Sequence, residues 1–157
     1  MDKLWAPWRI KYVTQKKTKK CIFCKIFREK TDSKNFIPLR SVHCFAVLNT
    51  FPYNNGHMMI VLNQHRKSFQ NLTDSELLDM NKTLIKCKSI LKKILKPTGF
   101  NIGMNIGKVA GAGIDKHIHM HLLPRWVGDT NFMPALANTK IISQSLGELY
   151  KKIKKAI

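Results

Sequence analysis

Three histidines alternate with apolar residues in the segment His117-Ile118-His119-Met120-His121. Because successive side chains of a β-strand point to opposite faces, this spacing predicts that the three imidazoles share one face. A neutral imidazole can attack phosphorus to form a phosphoramidate, and it is also a common zinc ligand. The alternation therefore predicts a reactive or metal-binding face. It leaves open metal binding, nucleophilic attack, or a division of these roles among the histidines.

A glycine-rich turn containing Gly107, Gly111 and Gly113 precedes the histidines. It does not match a Walker loop, because the glycine spacing differs and no Ser or Thr follows Lys108. It does not match a Rossmann turn, because it leads into a predicted strand rather than a helix. Its backbone N–H groups suit an anion-binding nest, so we interpret it as a phosphate-binding turn or as a plain irregular connection.

The four cysteines divide into one pair and two isolated residues. Cys21 and Cys24 form a C-x-x-C pair, whereas Cys44 and Cys87 are predicted to be buried as small hydrophobic residues. We expect a cytoplasmic protein, because the sequence shows neither a secretory signal nor a segment apolar enough for a membrane helix. Disulfides are rare in that compartment, so the pair is interpreted as thiols or metal ligands.

Apolar periodicity and turn residues predict the elements that position these groups. Asn55-Gly56 favours a hairpin turn, since this pair tolerates positive φ. Thr73 with Glu76 forms a capping box at the start of a helix that Pro97 ends. Strands are predicted at 42–48, 57–62, 100–106 and 117–123, and helices at 73–96 and from 145 to about 155. Antiparallel strands with a few helices indicate an α+β fold.

The histidine segment, continued by Leu122-Leu123, resembles the His-φ-His-φ-His-φ-φ motif of the histidine triad (HIT) superfamily, where φ is hydrophobic. Other residues stand in the order typical of that family: Cys21-Ile22-Phe23-Cys24, Leu48-Asn49, Gly56-His57, and Asn105 ahead of the glycine turn. Segments 5–9 and 125–134 are similar to the bacterial branch that resembles diadenosine tetraphosphate phosphorylases. The resemblance extends over nearly the whole chain.

This resemblance implies a HIT-like fold, with an antiparallel sheet of about five strands, a long helix and a C-terminal helix. It implies one domain over 1–157, made of an N-terminal extension (1–20), a core (21–126) and a C-terminal segment with a helix (127–157). A homodimer is also implied. Trp5, Trp8 and the apolar face of the 73–96 helix are candidate interface surface, although that helix face is equally suited to a core.

The resemblance assigns roles to individual residues. His119 matches the nucleophile that attacks the α-phosphate of a nucleotide, and His121 matches the histidine that supports the phosphate and the leaving group. Asn49 matches a ribose-binding position, and the positions near the phosphates are His57, Asn105, Gly111, Gly113 and Ile114. Many relatives carry Gly-Gln-Ser or Gly-Gln-Thr before the triad, whereas Ile114 can offer only its backbone N–H.

The resemblance further implies a structural zinc site. Cys21, Cys24, His65 and His117 match the ligands of several relatives, and thiolates with imidazoles suit tetrahedral zinc. His117 would then bind the metal and order the strand that presents His119. The alternative is a metal-free remnant of such a site.

The chain carries 28 Lys and Arg against 9 Asp and Glu, which gives a net charge of +19. Such a charge attracts anions, and the lysine clusters near both ends are compatible with a nucleic-acid-binding module. Aromatic residues are not interleaved with those lysines as stacking platforms would be, so nucleic acid is not the favoured partner. A basic surface that concentrates anionic substrate or maintains solubility is the preferred interpretation.

The resemblance implies an enzyme that acts on an adenine dinucleoside polyphosphate through a nucleotidylated histidine. The second acceptor is either inorganic phosphate or water, and the similarity of segment 126–134 favours phosphate. Phosphorolysis of diadenosine tetraphosphate is therefore the leading prediction. Hydrolysis of dinucleoside polyphosphates or of nucleoside phosphoramidates is the alternative, and no membrane partner is expected.

Overall fold

The computed structural model describes residues 21–130 and 141–157. The predicted N-terminal extension (1–20), with Trp5 and Trp8, lies outside the described residues. The last residues of segment 125–134 lie outside them as well. None of the helices in the described part of the chain combines the length and hydropathy needed to cross a bilayer.

A five-stranded antiparallel sheet forms the centre of the fold, in the order β1-β2-β3-β5-β4. The strands are β1 (Leu39–Arg40), β2 (Cys44–Leu48), β3 (Met58–Leu62), β4 (Gly99–Gly103) and β5 (His119–Arg125). The predicted hairpin turn joins β2 to β3, and Gly56 in that turn has a φ of 79°. A side chain there would be strained, because positive φ is readily adopted only by glycine.

Three helices flank the sheet in the described residues: α1 (Ile22–Glu29), α2 (Asp74–Leu95) and α3 (Leu146–Ala156). α2 begins at the predicted capping box, in which the Thr73 hydroxyl accepts from the Glu76 N–H and the Glu76 carboxylate accepts from the Thr73 N–H. α3 begins at Ser145, whose hydroxyl accepts from the Glu148 N–H. The predicted α+β class, with a long helix and a C-terminal helix, is confirmed.

Apolar side chains of β2 and β3 alternate between two hydrophobic layers. One set packs against α2 and α3: Cys44, Ala46, Leu48, Met58, Ile60 and Leu62. The other set packs against α1: Phe45, Val47, Met59 and Val61, with Phe23 and Ile26 of the helix. Both strands are buried on both faces, which explains their continuous apolar sequence. The apolar face of α2 belongs to the first layer, and Cys44 and Cys87 are buried as predicted.

The strand boundaries differ from the prediction. β5 begins at His119 rather than at residue 117, and it continues through Pro124 to Arg125. Proline is tolerated there because pairing with β3 ends at Leu122, so only β4 borders this part of β5. β2 begins at Cys44 instead of residue 42, β3 begins at Met58 instead of residue 57, and β4 covers Gly99–Gly103 instead of 100–106.

Two short elements were not predicted. α1 has eight residues and β1 has two, so neither is long enough to display a clear apolar period. α1 matters for the site, because its first turn carries both residues of the C-x-x-C pair: Cys21 is its N-cap and Cys24 lies within it.

Candidate functional site

The three histidines of the triad lie on the α1 side of the sheet. His119 and His121 project from β5, whereas His117 lies just before the strand. The Phe23 ring of α1 contacts His117 and His119, with ring centroids 5.5 and 5.0 Å apart. All three histidines are buried, with 1%, 6% and 8% of their surface exposed in chain order. The prediction that they share one side is confirmed, although His117 is not part of the strand.

The predicted zinc ligands converge on one point between α1 and the start of β5. Cys21 Sγ lies 3.2 Å from His117 Nδ1, and Cys24 Sγ lies 3.3 Å from His65 Nδ1. The four ligand atoms all lie within 4.8 Å of one another. Ligand atoms of tetrahedral zinc are about 3.3–3.8 Å apart, given Zn–N and Zn–S bonds of about 2.0–2.3 Å. The donor set and its spacing therefore fit a structural zinc ion.

His117 connects this cluster to the next histidine. Its Nδ1 faces the cysteines, and its Nε2 lies 2.9 Å from the Leu62 carbonyl oxygen. When Nδ1 binds a metal ion, the ring proton is on Nε2, and Nε2–H donates to this oxygen. The His117 carbonyl oxygen lies 2.8 Å from His119 Nδ1. Since a carbonyl can only accept, the proton of a neutral His119 is on Nδ1. The lone pair of His119 is therefore on Nε2.

A second chain of hydrogen bonds sets the tautomer of His121. The Tyr53 N–H donates to His57 Nδ1 over 3.1 Å, and the Asn49 amide nitrogen lies 3.2 Å from the same atom. A neutral His57 consequently carries its proton on Nε2, which lies 2.8 Å from His121 Nδ1. His121 accepts this bond and keeps its own proton on Nε2. The turn between β2 and β3 thereby determines which nitrogen of His121 is a donor.

Burial keeps these imidazoles neutral. It lowers the pKa of His57 to about 3, with further lowering from His121 and His119. It lowers the pKa of His121 to about 4 and that of His119 below its usual value. At neutral pH the site therefore presents an Nε2 lone pair on an uncharged His119 beside an Nε2–H donor on an uncharged His121.

A cleft of about 220 Å³ opens beside His121. It lies between the Tyr53 turn and the outer strand β4, and its lining residues are Tyr53, Asn101, Ile102, Gly103, Met104, Asn105, His121 and Leu123. The Tyr53 ring is half exposed and stacks on His121, with centroids 5.9 Å apart and planes at 30°. Two of the predicted site residues, Asn105 and His121, therefore border one cleft.

The other predicted nucleotide-binding residues surround this region in different ways. Asn49 Oδ1 accepts from the Phe51 N–H, and the amide nitrogen of Asn49 faces His57, so its side chain is oriented from both ends. The Asn105 amide donates to the Gly111 carbonyl over 3.5 Å, and a single 3₁₀ turn, Lys108–Ala110, forms the centre of the glycine segment. The Ile114 side chain packs against the α1 layer, which leaves its backbone as the polar group.

The sequence did not predict that Tyr53 and Asn101 line the site. It also did not predict the residues that hold them from behind, which are Asn54, Arg125 and Asp129. Asp129 accepts hydrogen bonds from Asn54 and Arg125, and Arg125 donates to Asn101. Arg125 and Asp129 pair across the turn that follows β5, where no helix makes an i, i+4 spacing informative. Nothing in the local sequence signals the contacts to Asn54 or Asn101, because these residues are distant in the chain.

The lysines of the long helices lie away from this site. α2 and α3 cover the face of the sheet opposite α1, and their exposed lysines include Lys82, Lys86, Lys93, Lys151 and Lys155. These side chains do not line the cleft beside His121. Most of the helical positive charge is therefore available to the solvent rather than to the histidines.

Comparison with known proteins gives a consistent result. The HIT domain family model matches residues 30–127. The chain is 32% identical to AP-4-A phosphorylase of Mycobacterium tuberculosis, over 93% of this chain and 79% of that protein. It is 28% identical to adenosine 5'-monophosphoramidase of Candida albicans, over 87% and 91% of the two chains. A Zn-bound histidine triad family protein of Mycobacterium smegmatis has the same fold, with a TM-score of 0.71, 21% identity, and coverage of 87% and 92%.

Proposed function

Because the chain belongs to the HIT domain family, we propose that it is an enzyme that transfers a nucleotidyl group from a nucleotide polyphosphate, with His119 as the covalent nucleophile. The observation that carries this proposal is the hydrogen bond from His119 Nδ1 to the His117 carbonyl oxygen. This bond leaves the Nε2 lone pair available, and burial keeps the ring neutral.

The first step is attack by His119 Nε2 on the α-phosphorus. An N–P bond forms while the P–O bond to the departing polyphosphate breaks, and the leaving oxygen, which keeps the electron pair, receives a hydrogen bond from His121 Nε2–H. Neutral rings suit this step, because the nucleophile needs its lone pair and the donor needs its proton. In the proposed complex, Asn49 binds the ribose. The phosphates lie near His57, Asn105 and the N–H groups of Gly111, Gly113 and Ile114.

The second step transfers the nucleotidyl group from His119 to an acceptor. We propose inorganic phosphate as the acceptor and diadenosine tetraphosphate as the substrate, with ATP leaving in the first step and ADP formed in the second. The similarity to AP-4-A phosphorylase supports this choice. Two anions repel at close range, so the second phosphate needs N–H or cationic groups, which the glycine segment and Lys108 can offer.

The test is incubation with diadenosine tetraphosphate, with and without radiolabelled phosphate. Phosphorolysis places the label at the β position of ADP and requires phosphate for turnover. If turnover is unchanged without phosphate and AMP accumulates, the enzyme is a hydrolase. Release of AMP from adenosine phosphoramidate at a higher rate would favour the activity named for the Candida albicans relative.

We further propose that Cys21, Cys24, His65 and His117 hold one structural zinc ion. Their spacing and donor chemistry support this proposal. Zinc would supply a covalent tie between α1 and the residue preceding β5, and it would stabilise both thiolates. Burial raises the pKa of Cys24 in the metal-free cluster, with the neighbouring Cys21 contributing in the same direction. A cation is therefore needed to keep the Cys24 sulfur deprotonated at neutral pH.

A homodimer is the proposed assembly. The family resemblance motivates it, and β4 supports it as an outer strand whose Ile102 is 47% exposed. An open strand edge of this kind can pair with a second copy. Light scattering at micromolar concentration should give twice the monomer mass, and a monomer would contradict the proposal.

A further inference from the structure

Asp129 connects the end of β5 to the β2–β3 turn, and through Arg125 it is also linked to β4. Its carboxylate accepts from Arg125 Nε over 2.6 Å, from Arg125 Nη2 over 2.9 Å, from the Asn54 amide over 2.8 Å and from the Trp126 N–H over 3.1 Å. The Thr130 hydroxyl donates to it over 3.3 Å. The hydrogen bonds from Arg125 are the main reason that the pKa of Asp129 is far below its usual value, so the carboxylate is ionised at any pH near neutral.

Two partners of Asp129, Asn54 and Arg125, adjoin the two walls of the cleft beside His121. Asn54 is buried in the β2–β3 turn, where it also donates to the Pro124 carbonyl over 3.1 Å, and it directly follows Tyr53 of one wall. Arg125 donates to the Asn101 side chain of the other wall over 2.6 Å. The Asp129 carboxylate is therefore linked to one wall through Asn54 and to the other through Arg125.

The turn that Asp129 holds also controls His121. The Tyr53 N–H makes His57 Nδ1 an acceptor, so His57 Nε2–H donates to His121 Nδ1. If the turn moved, His57 Nδ1 would lose the donor from Tyr53 and keep only the Asn49 amide nitrogen, 3.2 Å away, so the His57 tautomer would be less firmly set and the His121 proton could reside on either nitrogen. The route from Asp129 to His121 thus runs through Asn54, the Tyr53 peptide and His57.

We propose that Asp129 is a positioning residue that keeps His121 in the tautomer that donates from Nε2 to the leaving group. This inference rests on the proposed nucleotidyl transfer. As the P–O bond breaks, its electron pair stays on the leaving oxygen, and His121 Nε2–H donates a hydrogen bond to that oxygen, which takes its proton from water after it departs. A weakly basic leaving group needs this hydrogen bond little, whereas a strongly basic one needs it in the transition state. Loss of Asp129 should therefore penalise basic leaving groups selectively.

The kinetic test uses two esters of AMP, the p-nitrophenyl ester and the phenyl ester, whose phenolates are weakly and strongly basic. Asp129→Ala should lower kcat/KM, which reports the step in which the phenolate leaves, about tenfold more on the phenyl ester than on the p-nitrophenyl ester. The matched control is Asp32→Ala, which removes a similar pair with Arg40 at the far edge of the sheet. The control should affect both esters equally. Equal losses in Asp129→Ala would overturn the proposal.

A second measurement needs no substrate. Long-range ¹⁵N–¹H NMR spectra of the free protein should show His121 protonated on Nε2 alone, and Asp129→Ala should give a mixture of tautomers. Asn54→Ala should give the same mixture, which covers the case in which Asp129→Ala does not fold. An unchanged tautomer in these variants overturns the positioning role. If the wild-type protein has the expected tautomer but turns over neither ester nor diadenosine tetraphosphate, the proposed function itself is wrong.

Discussion

Two groups of histidines lie side by side on the α1 side of the sheet, and they differ in what faces their Nδ1 atoms. In the cluster of Cys21, Cys24, His65 and His117, Nδ1 faces sulfur. In the group formed by His57, His119 and His121, Nδ1 faces a backbone carbonyl, a backbone N–H or another imidazole. The imidazole side chain is thereby suited to metal binding in the first group and to phosphoryl chemistry in the second.

The two groups are physically continuous. The His117 side chain belongs to the first group, and its carbonyl oxygen holds the ring of His119 in the second. A substitution in the first group should therefore shift the His119 ring of the second group without removing any of its reactive atoms. Variants that remove each function separately can test this distinction.

The largest effect is expected from His119→Ala. This substitution removes the atom that would form the bond to phosphorus, so we expect kcat to fall by about 10³-fold or more. His121→Ala should cause a smaller loss, because substrate and water can partly replace a proton donor. Steady-state rates with diadenosine tetraphosphate measure both effects, and thermal melts check that each variant is folded.

Near-normal turnover by a folded His119→Ala protein would mean that His119 is not the nucleophile. The proposed difference in function between the two groups would then be wrong. A loss in His121→Ala that equals or exceeds the loss in His119→Ala would reverse the assignment of nucleophile and donor.

An intermediate effect is expected from Cys24→Ser. The wild-type protein, purified without chelators, should contain about one zinc per chain, and the variant should contain less than about a tenth of an equivalent. We expect its Tm to fall on the order of 10 °C, because the tie between α1 and His117 is lost. Its kcat should fall much less than that of His119→Ala, since His119 and His121 remain in place.

Cys87→Ala is the matched control for this prediction. Cys87 is a buried thiol in the core below α2, so its removal should lower the Tm while leaving the zinc content unchanged. A wild-type protein that is folded, active and free of zinc would show that the cluster is a metal-free set of contacts.

The sequence predicts the residues of both groups better than it predicts their arrangement. The period-two spacing is sufficient to place His119 and His121 on one side, because alternation in a strand is a local property. It does not show that β5 begins after His117, since the start of a strand depends on where β3 offers a partner. Likewise, the C-x-x-C pair is visible in the sequence, but the short helix that presents it is stabilised by the burial of Phe23 and Ile26.

Long-range contacts account for most of what the sequence does not reveal. Asn54 and Asp129 are separated by 75 residues, and their hydrogen bond exists only because the β2–β3 turn reaches the end of β5. The tautomers of His57 and His121 depend on the same turn. The residue types suggest the chemistry, whereas tertiary contacts determine which nitrogen donates and which accepts.

The smallest expected effect concerns the acid stability of the second group. Because burial lowers the folded-state pKa of His57 to about 3 and that of His121 to about 4, both rings stay neutral in the folded protein over a range in which unfolded histidine is protonated. The unfolded state then binds more protons. The contribution of these two rings to the free energy of unfolding should be constant above pH 6.5, fall by a few kcal/mol as the pH decreases from 6.5 to about 4, and level off below their folded-state pKa values.

His57→Gln tests whether this loss comes from the second group. The variant lacks one of the two buried imidazoles, so its stability should decrease less between pH 6.5 and 4 than that of the wild type. Urea unfolding at closely spaced pH values gives both curves, and a chelator in every sample removes the separate effect of acid on zinc binding. Parallel curves would mean that His57 is not the buried neutral base that its contacts with Tyr53 and His121 require, and the Nε2 proton assigned to His121 would lose its support.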